Sequence, residues 1–307
     1  MIELRRIDHV CLRVDDLDRA VRRWSVQFGL TESRRSDGRA YLRCAYEPYS
    51  LELVEGEPGF DHAGWELRRH VTLDDAASHL DACRVEYRRE PQGIHLRDLD
   101  GYGVEIMPYR EELDRRPAVA RETDSLPGFH PRKLGHVNVL TTDLDAQTAF
   151  YTDVLGMRVS DRLLGAGNWF HVNSDHHSMA LVQHDYVHFH HLAFEFVDWG
   201  ELRVCFDHLG QHGRWLVWGP LRHALAQNLC GYVRIPDERL IVECYCDMEQ
   251  LEPDHEPRDW PDDARSSNAW GILPPRSYFR FDDEAIRYER EGLEMRGHKL
   301  PPLEVTS

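Results

Sequence analysis

The feature that most constrains the fold is an internal repeat. Residues 7–30, IDHVCLRVDDLDRAVRRWSVQFGL, match residues 134–157, LGHVNVLTTDLDAQTAFYTDVLGM. Three more pairs of segments recur in the same order: YSLELVEG with HSMALVQH, DHAGWEL with HHLAFEF, and LRDLDGYGVEIMP with VRIPDERLIVECY. Because four matched segments follow one another in both halves, the sequence predicts a duplicated domain.

Each half has the same order of predicted elements. A short alternating strand runs into Asp-Leu-Asp, which is a favourable start for a helix. Apolar residues at three- and four-residue spacing then predict helices over Leu17–Phe28 and residues 144–155. Gly29 and Gly156 follow them, as expected at helix C-termini. Short β-rich runs and a second similar unit complete each half. These strand–helix–strand–strand–strand units, repeated in pairs, predict an α+β fold with curved mixed sheets.

Composition along the chain predicts the domain boundaries. Residues 1–112 form the first domain in this scheme, and residues 132–262 form the second. The stretch between them, residues 113–131, is rich in charge and proline and is predicted to be the linker. Residues 263–307 are predicted to be an extended tail that packs on the second domain.

Charge and cysteine usage exclude several classes of function. The chain carries 37 Lys and Arg against 54 Asp and Glu, a formal net charge of −17. Such a surface repels nucleic acid and anionic membranes, so we expect neither as a partner. No run approaches the length of a membrane span, and the first residues do not read as a signal peptide. Seven cysteines without a CxxC pair indicate reduced thiols and a cytoplasmic protein.

Histidine is unusually abundant, with 19 residues, and imidazole is a common metal ligand. In the second half, His136 lies on the first predicted strand, His191 begins HLAFEF, and Glu243 lies within LIVECY. A carboxylate inside an apolar strand needs a partner, because burying it alone is costly. Two imidazoles and one carboxylate on neighbouring strands form the facial triad typical of non-haem iron(II). These three residues are therefore the predicted metal ligands.

The segments GHVNV, DHHSMALV, HHLAF and GPLRH, followed by Tyr232 and Glu243, resemble the type I extradiol ring-cleavage dioxygenases of the vicinal oxygen chelate superfamily. The resemblance extends to WGILPPRSYF in the tail. It implies four βαβββ modules in two tandem domains, each pair of modules forming an open mixed barrel with flanking helices. It also implies an enzyme that inserts both atoms of dioxygen into a catecholic substrate next to its diol.

The resemblance assigns roles to individual residues. His136, His191 and Glu243 match the ligands of iron(II), with manganese(II) as the alternative metal. His177 matches an acid–base histidine beside the oxygen site. His223 and Tyr232 match a pair that hydrogen-bonds the substrate oxygens. Family members also imply a homo-oligomer, from a dimer to a tetramer or larger.

Two features depart from the family pattern. Between Tyr232 and Glu243 this chain has one residue more than usual, which a bulge or a longer turn would have to absorb. The first half keeps His9, His62 and Glu105 at the positions of the second-half ligands. Tyr49 replaces the acid–base histidine there, and His95 replaces the tyrosine. We therefore expect a non-catalytic first domain, with a second metal as the alternative.

The substrate pocket is predicted from aromatic residues. Trp218 precedes Gly-Pro where carboxylate-handling relatives carry Arg, and Trp169 and Phe170 are expected near the cavity. These residues favour an aromatic, apolar catechol. Two other functions remain open for this scaffold. One is a metal-dependent isomerase or transferase of the glyoxalase type, and the other is a non-catalytic protein that binds a small molecule.

Overall fold

The computed structural model describes residues 1–36, 38–111, 129–282, 284 and 287. Most of the predicted linker, residues 113–128, lies outside the described residues, as does nearly all of the tail beyond residue 282. Among the described helices, none is long and apolar enough to cross a membrane.

The helices are short and lie between strands. They are α1 (Leu17–Phe28), α2 (Leu73–Cys83), α3 (Leu144–Ala149), α4 (Trp199–Gln211) and α5 (Ala264–Ser267). Helix α3 continues as a π-helical turn over Phe150–Val154, so the helix predicted over residues 144–155 is wound more widely in its second part. Two 3₁₀ turns lie at Pro236–Glu238 and Arg276–Phe279.

The first helix of each half begins as the sequence predicts. The side chains of Asp16 and Asp143 accept hydrogen bonds from backbone N–H groups in the first turns of α1 and α3. Gly29 and Gly156 follow these helices with φ of 73° and 71°. A Cβ atom at Gly156 would also lie 2.3 Å from the carbonyl oxygen of Ile2. Glycine is thus required there by both conformation and close packing.

Two mixed sheets form the body of the molecule. The strands of the first half are β1 (Leu4–Val14), β2 (Thr31–Ser36), β3 (Arg39–Arg43), β4 (Leu51–Glu55), β5 (Gly59–Leu67), β6 (Tyr87–Glu90), β7 (Gly93–Arg97) and β8 (Gly103–Met107). Those of the second half are β9 (Lys133–Thr141), β10 (Arg158–Leu163), β11 (Gly167–His171), β12 (Met179–Gln183), β13 (His188–Glu195), β14 (Leu216–Arg222), β15 (Leu229–Ile235), β16 (Leu240–Cys246) and β17 (Arg258–Trp260).

The two sheets have the same strand order. The first runs β2-β3-β4-β1-β5-β8-β7-β6, and the second runs β10-β11-β12-β9-β13-β16-β15-β14, with β17 added beside β10. In each, the two central strands are antiparallel and each pairs in parallel with its outer neighbour. Every half is therefore two βαβββ modules joined through their first strands, which confirms the predicted fold.

The halves contact each other reciprocally through the turns that precede β8 and β16. The turn before β8 contributes Asp98, whose Oδ2 accepts a hydrogen bond of 2.9 Å from the hydroxyl of Tyr151 in the second half. The 3₁₀ turn before β16 contributes Glu238, which forms a buried ion pair with Arg23 of α1. Each half thus contributes a residue that stabilises the turn before β8 or β16 of the other half.

The apolar core is continuous across both halves. Trp24 and Phe28 of α1 pack against Phe194 of β13, with ring centroids 6.4 Å apart in each pair. Phe60 and Phe189 stack at 4.1 Å with nearly parallel rings. Because these contacts join strands of both sheets, the two halves form a single hydrophobic unit.

The described part of the tail packs against the second half. Just before the tail, strand β17 of the predicted second domain pairs in parallel with β10. Tyr278 in the last 3₁₀ turn is buried, and its ring centroid lies 5.1 Å from those of Trp218 and Tyr232. The tail therefore closes one side of the cavity described next.

Candidate active site

The three predicted ligands lie on three adjacent strands in one register. His136 of β9 pairs with Ala193 of β13, and Ala193 pairs with Glu243 of β16. His191 lies two residues before Ala193. Since side chains two apart on a strand share a face, the three side chains point to the same side of the sheet.

Their donor atoms converge on one point. Oε2 of Glu243 lies 3.0 Å from Nε2 of His136 and 3.2 Å from Nε2 of His191. The other oxygen of Glu243 accepts a hydrogen bond of 2.8 Å from Nδ2 of Asn228. Each of the three predicted ligands is at most 4% exposed. The spacing suits a cation bound between them, and the donor set is that of a facial triad.

The electrostatics favour a bound cation. Burial alone would raise the pKa of Glu243, but attraction to His136 and hydrogen bonds from His136 and His191 hold it well below its ordinary value. Burial lowers the pKa of His191 to about 4, so this imidazole is neutral at neutral pH. A buried carboxylate facing the neutral imidazole of His191 has a strong affinity for positive charge. These residues therefore fit a divalent metal ion.

A chain of hydrogen bonds orients the ring of His191. Nε2 of His190 lies 3.1 Å from the carbonyl oxygen of Tyr278, which can only accept, so this nitrogen carries the proton. Nδ1 of His190 is then free to accept from Nδ1 of His191 at 2.7 Å. With a metal ion bound, this chain would keep the proton of His191 on Nδ1 and leave the Nε2 lone pair for the ion.

His177 lies in the cavity beside the triad. Its ring centroid is 4.2 Å from that of His136. The preceding His176 points away, with Nε2 3.1 Å from Oδ2 of Asp161 and Nδ1 3.1 Å from Nδ1 of His177. Burial, with repulsion from His136 and His176, lowers the pKa of His177 well below its ordinary value. His177 is therefore a neutral imidazole that can accept a proton.

His223 and Tyr232 form a hydrogen-bonded pair at the other side of the cavity. Nδ1 of His223 donates to the carbonyl oxygen of Ser267 at 2.6 Å. Its Nε2 therefore accepts from the hydroxyl of Tyr232 at 2.8 Å. Tyr232 pairs directly with Glu243 across β15 and β16. The structure thus brings all six predicted site residues to one cavity.

The extra residue between Tyr232 and Glu243 is taken up by a turn. Strands β15 and β16 pair from Leu229 to Cys246 without a register shift. The 3₁₀ turn Pro236–Glu238 and Arg239, at φ 56°, connect them. Because the added length stays in the turn, Tyr232 and Glu243 remain neighbours.

The cavity over the triad has a volume of about 490 Å³. Its apolar lining is Leu163, Ala166, Trp169, Ala180, Val182, Trp218, Leu225, Ala226, Leu273, Pro274 and Phe279. Trp218 stacks on Tyr232, and its indole donates to the carbonyl of Ile272. The expectation for Phe170 is wrong: its side chain is fully buried in the core, because it follows Trp169 on one strand and faces the opposite side.

Sequence reasoning misses the roles of three contributors. Asn228 carries no signal of its own, and Tyr278 lies in the tail segment that resembles the family but has no predicted role. His190 directly precedes the predicted ligand His191, and its hydrogen bonds to His191 and Tyr278 give that position a defined role. The one sequence signal for the role of His190 is its position directly before a predicted ligand.

Comparison with known proteins identifies the family. The profile of the Glyoxalase/Bleomycin resistance protein/Dioxygenase superfamily matches residues 133–231. Metapyrocatechase 2 of Cupriavidus necator is 30% identical over 263 residues, covering 75% of this chain and 77% of that protein. The manganese-dependent 2,3-dihydroxybiphenyl 1,2-dioxygenase of Geobacillus genomosp. 3 is 24% identical over 285 residues, covering 84% and 90%.

Solved structures share the fold. The Mn(II)-bound glyoxalase of Novosphingobium aromaticivorans superposes with a TM-score of 0.80 at 20% identity, covering 91% of this chain and 94% of that one. Homoprotocatechuate 2,3-dioxygenase of Arthrobacter globiformis superposes with a TM-score of 0.79 at 20% identity, covering 91% of each. With the modular fold and the sequence relatives, the conclusion is that the chain belongs to the extradiol ring-cleavage dioxygenases of the vicinal oxygen chelate superfamily.

Proposed function

We propose that this chain is an iron(II)-dependent dioxygenase that opens the ring of an uncharged, apolar catechol. His136, His191 and Glu243 would hold the metal ion. His177 would act as the acid–base group, with His223 and Tyr232 hydrogen-bonding the substrate oxygens. The observation that carries the proposal is a buried two-histidine, one-carboxylate set with a neutral imidazole beside it in an apolar cavity.

The ligand set accepts iron(II) and manganese(II) alike. When bound, the metal would supply a shared coordination site and a path for electrons between a diol and dioxygen. A divalent ion beside a single carboxylate leaves a net charge of about +1, which suits a singly ionised catechol. Iron(II) is our proposal for the physiological metal, and manganese(II) is the alternative.

The protein's own residues handle protons. His177 is neutral, so its imidazole would take a proton from a diol hydroxyl and later return it to an oxygen of the product. Tyr232 donates to His223 in the free enzyme. The same hydroxyl would turn towards a bound substrate oxygen, while His223 stays anchored through Ser267. This pair would orient the diol rather than exchange protons with solvent.

The lining of the cavity supports a catechol without charged substituents. None of its described residues is a lysine or an arginine, and its charged members are Glu243 and Asp262. A carboxylate on the substrate would lose its hydration there without gaining a cationic partner. Alkyl or aryl groups would instead contact Trp169, Leu163 and Phe279.

The experiment is anaerobic reconstitution with iron(II), followed by oxygen uptake and visible spectra for a panel of catechols. The panel pairs alkyl- and aryl-substituted catechols with dihydroxyphenyl acids of similar size. We expect one oxygen consumed per ring opened, with a yellow product. We also expect kcat/KM to be at least about a hundredfold higher for the apolar catechols, since an unpaired buried charge costs several kcal/mol.

A preference for the acids would contradict the substrate proposal and leave ring cleavage standing. Bound metal without oxygen uptake on any diol would favour the isomerase or transferase alternative. Parallel reconstitution with manganese(II) compares the two metals, and higher turnover with manganese(II) would overturn the choice of iron.

We also propose a homo-oligomer located in the cytoplasm. All seven cysteines are free thiols, as expected in a reducing compartment. Trp270, Ile272 and Leu273 are each more than half exposed, which is typical of a surface that another subunit covers. Light scattering during size exclusion tests the oligomer, and a monomer at micromolar concentration would contradict it.

A further inference from the structure

The first half repeats the register of the candidate metal site. His9 of β1 pairs with Gly64 of β5, and Gly64 pairs with Glu105 of β8. His62 lies two residues before Gly64. This is the arrangement of His136, Ala193, Glu243 and His191, with each residue on the corresponding strand. The backbone therefore directs two imidazoles and one carboxylate to a single point in this half also.

The donor atoms of the first half are as close as those of the second. Nε2 of His9 lies 3.1 Å from Nε2 of His62, and each lies 3.2 Å from Oε2 of Glu105. A cation about 2.1 Å from two donors at right angles would separate them by about 3 Å. All three edges of this triangle match that spacing.

Both imidazoles are oriented by carboxylates. Oδ2 of Asp8 lies 2.8 Å from Nδ1 of His9, and Oδ2 of Asp61 lies 2.8 Å from Nδ1 of His62. With these partners, each Nδ1 would keep its proton when a cation binds, and each Nε2 would be free to coordinate it. Pairing of a carboxylate with the far nitrogen is the usual support of a metal-bound histidine.

No lysine or arginine among the described residues pairs with the carboxylate at the centre of the cluster. In the described ranges, Glu105 forms ion pairs with histidines alone: His9, His62 and His95. His95 reaches the second oxygen of Glu105, as Asn228 reaches that of Glu243. Without a metal, a proton on an imidazole must compensate the carboxylate, and a divalent ion would replace it.

A further carboxylate and an open groove lie beside this cluster. Oε2 of Glu52 lies 3.8 Å from Nε2 of His9, close enough to become a fourth ligand after a small rotation. His62 and His95 border a groove of about 1160 Å³ between the α2–β6 region and α3. Of the proposed ligands, His62 connects the cluster with this groove.

We propose that the first half binds a second divalent transition-metal ion through His9, His62 and Glu105, with Glu52 as a further ligand. This site is structural. Tyr49 occupies the place of His177, with its ring centroid 4.9 Å from that of His9. A neutral phenol cannot take a proton at neutral pH as an imidazole does.

The test counts metal ions in the whole protein. Wild type, His62→Gln, His191→Gln and the double variant are stripped with chelator, reloaded with excess manganese(II) and desalted under nitrogen. Manganese per chain is measured by mass spectrometry and by electron paramagnetic resonance. We expect two equivalents in the wild type, one in each single variant and none in the double variant. Circular dichroism checks that each variant is folded.

One equivalent in the wild type that persists in His62→Gln and disappears in His191→Gln would overturn the second site. One equivalent that persists in His191→Gln and disappears in His62→Gln would support it and contradict the proposed catalytic site instead. If His62→Gln does not fold, His191→Gln decides alone: one remaining equivalent supports the proposal, and none overturns it. No metal in the wild type overturns both sites.

Discussion

The two halves of this molecule differ little in backbone and greatly in what surrounds the same three ligands. In the second half, His177 lies beside the triad and Tyr232 opposite Glu243. In the first half these places hold Tyr49 and His95. An apolar cavity of about 490 Å³ covers one triad, whereas an open groove borders the other. The comparison shows that strand register brings two imidazoles and one carboxylate together in each half, whereas the groups beside them differ.

The support of the histidines differs as well. In the first half, Asp8 and Asp61 are hydrogen-bonded to Nδ1 of His9 and His62. In the second half, Nδ1 of His191 is hydrogen-bonded to a neutral His190. Among the described residues, Nδ1 of His136 has no hydrogen-bond partner. Carboxylate support raises the basicity of a ligand and strengthens its bond to metal. We infer that the first half favours retention of a metal, and the second leaves it more electrophilic towards substrate.

The comparison is tested most strongly by removing one carboxylate from each triad. Glu243→Gln should lower kcat/KM about a thousandfold, because losing the only charged ligand removes about 4 kcal/mol of transition-state stabilisation. Glu105→Gln should also cost one metal equivalent but lower turnover far less, since its site is remote from the substrate cavity. Oxygen uptake and metal content are measured on the same samples. Equal losses of turnover would mean that both halves take part in catalysis.

The next contrast concerns the groups beside the triads. His177→Phe should lower kcat about a hundredfold or more, as expected when an acid–base group is lost, while metal content stays unchanged. The matched Tyr49→Phe keeps the ring and removes the hydroxyl, so we expect kcat within about twofold of wild type. Steady-state oxygen uptake measures both. A large loss in Tyr49→Phe would contradict a non-catalytic first half.

The two reciprocal contacts between the halves differ in charge, because Asp98 contacts a neutral tyrosine and Glu238 contacts an arginine. Burial raises the pKa of Asp98 from its ordinary value of 3.8 to about 6, despite its hydrogen bonds from Tyr151 and from the backbone of Tyr102. The folded protein therefore holds this proton more tightly, so the stabilisation is full below pH 3.8 and is lost as pH rises through 6.

Between pH 4 and pH 7, the free energy of unfolding of the wild type should fall by about 3 kcal/mol at most relative to Asp98→Asn. Urea unfolding at several pH values measures the difference. A difference that does not change with pH would show that Asp98 is ionised in the folded protein throughout this range.

The smallest expected effect concerns the central residue of each register. A Cβ atom at Gly64 would lie 2.2 Å from Cε1 of His9, so Gly64→Ala should cost about 2 kcal/mol through overpacking. At the matched position, Ala193→Gly should cost about 1 kcal/mol or less. Thermal unfolding measures both variants. An unaffected melting temperature in Gly64→Ala would mean that the ring of His9 is free to move.

Much of the architecture can be predicted because the sequence repeats. Matched segments, helix-capping aspartates and the glycines after the first helices are enough to define the four modules. The candidate site is also predictable, since His136, His191 and Glu243 fall at corresponding positions of strands. Local pattern and strand alternation are sufficient for such features.

Contacts between distant segments are not predictable in this way. The ion pair of Arg23 with Glu238, and the approach of Tyr278 to His190, depend on how the two halves and the tail pack. The wrong expectation for Phe170 has a simpler source. Adjacency to Trp169 in sequence does not bring Phe170 to the cavity, because neighbours on a strand face opposite sides.

The ion pair between Arg23 and Glu238 has a consequence for how such a duplicated gene can evolve. Deleting the first half would leave Glu238, which is buried in the intact protein, without the guanidinium of Arg23, at the turn leading into the strand of Glu243. A shortened descendant would carry an uncompensated buried carboxylate beside the strand of Glu243. The first half therefore stabilises the second through this ion pair, whether or not it catalyses anything itself.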